Sequence, residues 1–343
     1  MMRLPLPWLL CLVCGALAVL LVGSLATGPM SLSFGESLQA LFAGKESGIE
    51  AHKLLIVQEI RLPRTLLCIA VGGILGLCGA VMQGLFRNPL ADPGIIGVSG
   101  GAALGAALAI VLLAPLGQQL QTLLGLGLLP LLAFLGGALT TTLVYLLGTR
   151  EGGTSVTVML LAGVAITALS GAVIGLLTYL ADDQMLRNLS LWQMGSLAAG
   201  KPMDVVLALA TLAALLLLFM RNANPLNALL LGEGEARHLG VNVQSLKRRL
   251  ILLTAAGVGV AVAVAGMIGF VGLVVPHLVR LLAGPNHVRL LPLSALLGAA
   301  LLLGADMLAR TLLAPAELPV GIITALLGAP FFIWLLVKSR RTF

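Results

Sequence analysis

The sequence predicts an all-α, polytopic membrane protein with about ten transmembrane helices, and three observations support this prediction. Of the 343 residues, 59% are hydrophobic and only 10% are charged, whereas a typical soluble domain carries about 25% charged residues. The apolar runs continue for about 20 residues, which is the length of a helix that spans a bilayer. They do not alternate over about ten residues, as the strands of a membrane β-barrel do. Because hydrocarbon offers no partner to free backbone N–H and C=O groups, helices are the expected form of these runs.

Ten apolar segments account for the predicted spans. In chain order they are 8–28, 65–84, 94–114, 126–148, 156–180, 204–220, 250–267, 268–283, 291–310 and 319–337. The first segment could be a cleaved signal peptide, since Arg3 precedes it and Ser24-Leu25-Ala26 follows its apolar run. Its length of roughly 20 residues favours a retained span. The seventh and eighth share one apolar stretch that is too long for a single crossing, and its glycines predict a turn there.

The lysines and arginines predict the orientation. With the N-terminus in the cytoplasm, 13 of the 20 basic residues lie inside and 7 outside, as the positive-inside rule requires. Nine spans would put the basic cluster at 338–341 outside, so an even number is favoured. We therefore expect one multi-pass transmembrane domain over residues 1–343, with both termini cytoplasmic. It has an outer segment at 29–63, a short outer helix at about 182–200 and an inner loop at about 222–245.

Few residues in the sequence could carry chemistry. It lacks the GxxxxGK(S/T) loop that holds nucleotide phosphates, and its four histidines show no metal-ligand spacing. The basic residues form no aromatic-interleaved patch, which argues against a nucleic-acid partner. The four cysteines lie inside apolar runs, where they are better interpreted as small apolar residues than as redox or metal sites. We predict neither catalytic residues nor a metal site in this chain.

Asp306 is the clear ionisable residue within a predicted span. Arg310 follows one helical turn later, and this spacing predicts an (i, i+4) ion pair near the outer end of the helix. An ion-coupled secondary transporter, the main alternative class of function, would need several carboxylates within its spans. Their scarcity argues against proton-coupled transport.

Two extramembrane segments carry patterns that fit protein partners. On the outer side, Pro63 predicts a rigid turn that projects Arg61 and Arg64 outward, where guanidinium groups suit the carboxylates of an acidic partner. Ordinary snorkelling of these side chains at the interface is an equal alternative. On the inner side, the loop at 222–245 is long for a solvated connector, and it could seat against a cytosolic protein.

The motifs in this order resemble the FecCD-type permease subunits of ABC importers for iron-siderophores, haem and cobalamin. The resemblance covers essentially the whole chain. The matching segments are Arg61–Arg64, Gly79–Gln83, Arg87–Pro93, Gly97–Ser99, Leu231–Glu233, Leu239–Val241, Gly269–His277, Glu317–Gly321 and Gly328–Phe331.

This resemblance implies a type II ABC importer in the bacterial inner membrane. Such permeases have ten spans and work as homodimers, with one path between two copies that the fifth and tenth spans line. Two copies of a cytosolic ATPase bind ATP and Mg, no cofactor is bound by the permease, and a periplasmic solute-binding protein delivers the cargo. The expected cargo is an iron complex, haem or a ferric siderophore, with haem weakly favoured by the Arg87–Pro93 segment; cobalamin is the alternative.

The resemblance also implies roles for individual residues. Acidic residues of the binding protein are expected to dock on Arg61, Arg64 and Arg310. The ATPase-coupling residues are expected to be Leu231, Gly232, Glu233, Glu235, Ala236, Leu239 and Gly240. The cytoplasmic gate is expected to comprise Asn88, Thr154, Ser155, Val156 and Thr157.

Overall fold

The structure, a computed structural model, is helical almost throughout and describes residues 5–30, 32–42, 50–113, 127–150, 153–198 and 200–339. Part of the predicted outer segment, residues 31 and 43–49, and the last residues of the basic C-terminal cluster lie outside the described residues. The helices are α1 Leu6–Ala26, α2 Phe34–Phe42, α3 Ala51–Leu55, α4 Leu62–Leu85, α5 Val98–Val111, α6 Leu128–Gly148, α7 Val156–Leu180, α8 Asp183–Gln193, α9 Pro202–Arg221, α10 Ala223–Leu230, α11 Glu233–His238, α12 Val243–Ala265, α13 Val271–Ala283, α14 His287–Thr311 and α15 Val320–Ser339.

The apolar helices follow the predicted spans closely. Among the described residues, seven helical segments are long and apolar enough to cross a membrane: α1, α6, α7, α9, α12, α14 and the continuous helix Ala51–Leu85 that contains α4. Three shorter apolar helices, α5, α13 and most of α15, occupy the remaining predicted spans. The all-helical membrane architecture is thereby confirmed, whereas the number of ten crossings stays a prediction.

Helix α4 forms the centre of the bundle, and it packs most extensively against α14. Small residues four positions apart allow this close approach, as is common between membrane helices. A Cβ atom added at Gly76 would lie 2.3 Å from the carbonyl oxygen of Ser294, and one at Gly298 would lie 2.3 Å from that of Gly72. The two backbones therefore touch directly at the centre of the bundle.

The predicted turn between the seventh and eighth spans is present. Helix α12 ends at Ala265, and α13 begins after an unwound segment in which Gly266 and Phe270 both have positive φ angles. A Cβ atom at Gly266 would lie 2.3 Å from the carbonyl oxygen of Trp192, so this turn packs against the C-terminal end of α8. Only glycine fits that approach.

Three boundaries differ from the sequence prediction. Residues 51–61 of the predicted outer segment are helical and continue into α4 through a π-helical turn at Ile56–Arg61, so Pro63 makes no turn. Pro63 follows directly on this π-helical turn, where the regular α-helical hydrogen-bond ladder is already interrupted, so its missing N–H is tolerated. The short outer helix ends at Gln193 instead of 200, and α12 begins at Val243, inside the predicted loop.

A short hairpin, whose strands have two residues each, joins α6 to α7. Its strands, β1 Thr149–Arg150 and β2 Gly153–Thr154, pair antiparallel, with Thr149 opposite Thr154. We call the end of the bundle that holds this hairpin, α10 and α11 the inner end, and the end that holds Arg61 and Arg310 the outer end, following the predicted orientation. The 24 residues of α4 run between the two ends, a length of about 36 Å at 1.5 Å per residue.

Candidate functional sites at the two ends of the bundle

The outer end contains a buried ion-pair cluster. Arg64, at the start of α4, lies 2.9 Å through Nη2 from Oδ1 of Asp306 on α14, and its Nη1 lies 2.7 Å from Oε2 of Glu317. Arg310 lies 3.0 Å through Nε from the other carboxylate oxygen of Asp306. The Asp306 side chain is fully buried, and those of Arg64 and Arg310 are 8% and 3% exposed. One buried carboxylate therefore joins two guanidinium groups.

The end of α1 completes this cluster with hydrogen-bond acceptors. Arg61 donates through Nη1 to the carbonyl oxygens of Leu25 and Ala26, at 2.7 and 2.8 Å. Arg310 donates through Nη2 to the hydroxyl of Ser24 at 2.8 Å. The last carbonyls of a helix lack partners within the helix and carry a partial negative charge, so cations suit them. The guanidiniums thus tie α1 to α4 and α14.

The expected exposure of Arg61 and Arg64 is wrong, because both side chains are buried. Their residues are 4% and 7% exposed, and Arg310, the third expected docking residue, is 2% exposed. The physical reason is that a guanidinium at membrane depth needs acceptors, and the nearby carboxylates and helix carbonyls supply them. Of the paired carboxylates, Glu317 is the more accessible, with 34% of its side chain exposed.

The predicted (i, i+4) pair of Asp306 and Arg310 is confirmed, but the sequence reasoning missed Arg64 as a second partner. Arg64 and Asp306 are 242 positions apart, so no local spacing could connect them. The available signal was a surplus of positive charge: three arginines were assigned to the outer end, with one intramembrane carboxylate near them.

At the inner end, the residues that flank α11 present apolar side chains to solvent. Leu231 and Leu239, which flank this short helix, are 68% and 64% exposed, while Ala236 on its inner face is fully buried. Gly232 and Gly240 bound the helix with φ angles of 122° and 82°, which other residues rarely adopt. An open cleft of about 450 Å³ adjoins this region, lined by Asn227 and Leu230 of α10 and by the start of α14.

Thr154, the one predicted gate residue that lies in the hairpin, is held in place from α12. The backbone N–H of Thr154 donates to Oε1 of Gln244 at 3.0 Å, and Nζ of Lys247 donates to the Thr154 carbonyl oxygen at 3.0 Å. Ser155 begins α7 as its N-cap, with its hydroxyl accepting from the N–H of Val158. Ser155 and Thr157 are exposed, and Val156 is half-buried.

Asn88 lies in a separate turn at the same end. This exposed residue follows α4, and its side chain accepts a hydrogen bond from the N–H of Leu90 at 2.9 Å. The neighbouring Arg87 has a φ of 49°, and its guanidinium lies 3.8 Å from the Cβ position of Gly232. The structure therefore brings the turn after α4 close to the start of α11, and the hydrogen bonds of Asn88 connect it to Gln83 at the end of α4 and to Leu90 and Ala91.

Comparison with known proteins identifies the fold family. A model of the FecCD transport family matches residues 16–338, which is nearly the whole chain. The chain belongs to the FecCD transport family. This confirms the resemblance carried by the motifs from Arg61 to Phe331. Its relatives in this family are permease subunits of ABC transporters, so the chain is a permease and ATP hydrolysis belongs to a separate ATPase.

Two relatives and one solved structure are similar over nearly their full lengths. The hemin transport system permease protein HmuU of Yersinia pestis is 48% identical over 95% of this chain and 94% of its own length. The vitamin B12 import system permease protein BtuC of Shigella boydii serotype 18 is 42% identical over 97% of this chain and 96% of its own length. A solved structure described as an inward-facing conformation of a metal-chelate type ABC transporter has a TM-score of 0.83 at 34% identity, covering 97% of this chain and 99% of that one.

Proposed function

We propose that this FecCD permease carries an iron complex, haem or a ferric siderophore, from the periplasm to the cytoplasm. The observation that carries the proposal is the 48% identity to a hemin transport permease across 95% of the chain. A cobalamin importer is the second candidate, favoured by 42% identity to a vitamin B12 permease over 97% of the chain. Both cargoes are large chelates, which require a wide path with few charges.

A second copy of the chain supplies the other wall of that path. Helix α7 supports this proposal, because only 17% of its most apolar 18-residue stretch is buried within one copy. Its large exposed apolar side chains are Leu161, Val164, Leu169, Leu176, Tyr179 and Leu180. Helix α15 likewise exposes Leu326, Leu327 and Trp334. In a homodimer these faces meet the partner copy, the cargo path or lipid.

The inner end provides the docking surface for the ATPase. Exposed apolar side chains that lie together on a loop commonly mark a protein interaction surface. Leu231 and Leu239 bracket α11, and the adjoining cleft extends the surface towards α14. Glu235 adds an exposed charge to the same short helix. Each copy therefore engages one cytosolic ATPase, which binds the ATP and Mg.

The outer end provides the docking surface for a periplasmic binding protein. Because Arg64 is already paired, an acidic partner residue reaches it only by displacing Glu317, the partly exposed member of the cluster. Arg61 and Arg310 hold α1 against α4 and α14 and so shape the rim of this surface. Asn88 and the segment Thr154–Thr157, at the end of the hairpin and the start of α7, form the cytoplasmic gate.

Transport by the reconstituted complex tests the cargo. Vesicles that contain the permease, its cognate ATPase and its cognate binding protein are supplied with haem, a ferric siderophore or cobalamin. ATP-dependent accumulation of haem or the siderophore supports the proposal, and accumulation of cobalamin alone selects the second candidate. Uptake that a proton gradient drives without ATP would contradict both.

A further inference from the structure

A buried lysine joins the coupling segment to the gate hairpin. Lys247 lies in the first turns of α12, and its side chain is only 3% exposed. Its Nζ lies 2.6 Å from Oε1 of Glu233, the first residue of α11, and 3.0 Å from the carbonyl oxygen of Thr154 on β2. One ammonium group therefore bonds to two segments that are 79 residues apart in the chain, the difference between positions 233 and 154.

Gln244 reinforces the hairpin side of this connection. It lies one helical turn before Lys247, so both side chains project from the same face of α12. Gln244 accepts from the N–H of Thr154 while Lys247 donates to the carbonyl of the same residue. The preceding Gly153, with a φ of 114°, packs so closely that a Cβ atom there would lie 2.3 Å from the Gln244 amide nitrogen. On the hairpin side both bonds use backbone atoms of Thr154, so rotation of the Thr154 side chain cannot release the hairpin from α12.

A buried ammonium cannot easily give up either acceptor. Charges taken out of water are stable only when they are paired and hydrogen-bonded, and breaking such a pair is strongly destabilising. If α11 moves, the Lys247 side chain must follow Glu233 or be left with Thr154 alone. The first outcome pulls on the carbonyl of Thr154, which lies one residue before the N-cap of α7.

We infer that Lys247 is a positioning residue that transmits displacement of α11 to the Thr149–Thr154 hairpin and the start of α7. This inference rests on the proposed function, in which an ATPase moves α11 and the hairpin belongs to the gate. The chain thus has a direct polar connection between the two, Glu233–Lys247–Thr154, in addition to the packing of α12. Neither Lys247 nor Gln244 was among the residues predicted from the sequence.

The main test measures coupling in the complete complex. Lys247→Met keeps the length of the side chain and removes the charge; Arg248→Met, at the adjacent exposed position, is the matched control. We expect the number of cargo molecules transported per ATP hydrolysed to fall on the order of tenfold in Lys247→Met, within the usual range of coupling between sites. Arg248→Met should behave as wild type. An unchanged ratio in Lys247→Met would overturn the inference.

A milder variant covers the case in which Lys247→Met does not fold. Glu233→Gln removes the negative charge of the acceptor but keeps its shape, and it leaves the bond between Lys247 and Thr154 in place. It should lower the number of cargo molecules transported per ATP hydrolysed. The double variant Glu233→Gln/Lys247→Met should be no worse than Lys247→Met alone, because both changes break one connection. Additive losses would show that Glu233 and Lys247 act independently, and they would overturn the inference.

A distance measurement separates this inference from the proposed function. Spin labels on Gly234→Cys in α11 and Arg150→Cys in β1 report the separation of the two segments in the purified chain, after Ser replaces the exposed Cys11 and Cys14. We expect a narrow distance distribution that broadens when Lys247→Met is added and stays narrow with Arg248→Met. Equal widths would refute the connection even if transport is intact. If wild-type complex fails to transport while the broadening is seen, the proposed function is wrong and the connection stands.

Discussion

At the scale of single residues, the outer end shows how a membrane protein satisfies guanidinium groups. Asp306 is fully buried between Arg64 and Arg310, and carbonyls at the end of α1 accept from Arg61. Each cation therefore has a carboxylate or a helix C-terminus as a partner. These arginines are structural members of the bundle before any partner binds.

This arrangement predicts that Arg64 is required for stability. Arg64→Met would leave Asp306 with Arg310 alone and leave Glu317 without the 2.7 Å ion pair. Removing one member of a buried ion pair typically costs about 3–5 kcal/mol, so we expect a clearly lower thermal midpoint in detergent. The control is Arg187→Met on α8, where the side chain is exposed. Equal midpoints for the two variants would show that the cluster contributes nothing to the fold.

The sequence predicted some of these residues and not others, for a definite physical reason. The pair of Asp306 and Arg310 follows from helical spacing, and it is present. The burial of Arg64 depends on Asp306 and Glu317, which are 242 and 253 positions away, and only the folded bundle brings them together. The same holds for Lys247, whose acceptor Thr154 belongs to a distant hairpin.

At the scale of helices, the closest contact lies between α4 and α14. Gly72 and Gly76 on one helix face Ser294 and Gly298 on the other, and the carbonyl oxygens lie where side chains would otherwise be. Van der Waals packing of this kind drives helix association in lipid, where burial of apolar surface gives no advantage. Larger residues at these positions would separate the helices.

Two identical substitutions on α14 test this packing. A Cβ atom at Gly298 would lie 2.3 Å from the carbonyl oxygen of Gly72, whereas at Gly304 no atom lies within 4 Å. We expect Gly298→Ala to destabilise the protein by about 1–3 kcal/mol, the usual cost of overpacking, and to lower its thermal midpoint. Gly304→Ala should leave the midpoint near that of wild type. A smaller loss in Gly298→Ala than in Gly304→Ala would contradict the close contact.

Helix boundaries were predictable to the extent that hydropathy determines them. The fifth span, 156–180, coincides with α7, and the turn after α12 follows from its glycines. The sequence did not predict the π-helical turn before α4, because a proline such as Pro63 commonly marks a helix boundary. A wider turn places Pro63 in the first turn of α4, which hydropathy does not register.

At the scale of the whole molecule, the predicted sites divide between the two ends of one bundle. The arginine cluster surrounds the start of α4, and the turn at Asn88 follows its end, about 36 Å away. Helices α12 and α14 also connect the two ends. A permease whose binding protein and ATPase sit on opposite faces of the membrane requires this separation.

The orientation of these ends is testable with a reagent that cannot cross the membrane. In a background in which Ser replaces Cys11 and Cys14, single cysteines are placed at Arg187 on α8 and Arg237 on α11, both exposed. Because the sequence assigns 13 of the 20 basic residues to the same side as α11, we expect an impermeant maleimide to label Arg187→Cys on intact spheroplasts. Arg237→Cys should react only after permeabilisation. Reversed labelling would show that the molecule has the opposite orientation, with the arginine cluster on the cytoplasmic side. Labelling of both sites on intact spheroplasts would place α8 and α11 on one face and contradict the two-ended arrangement.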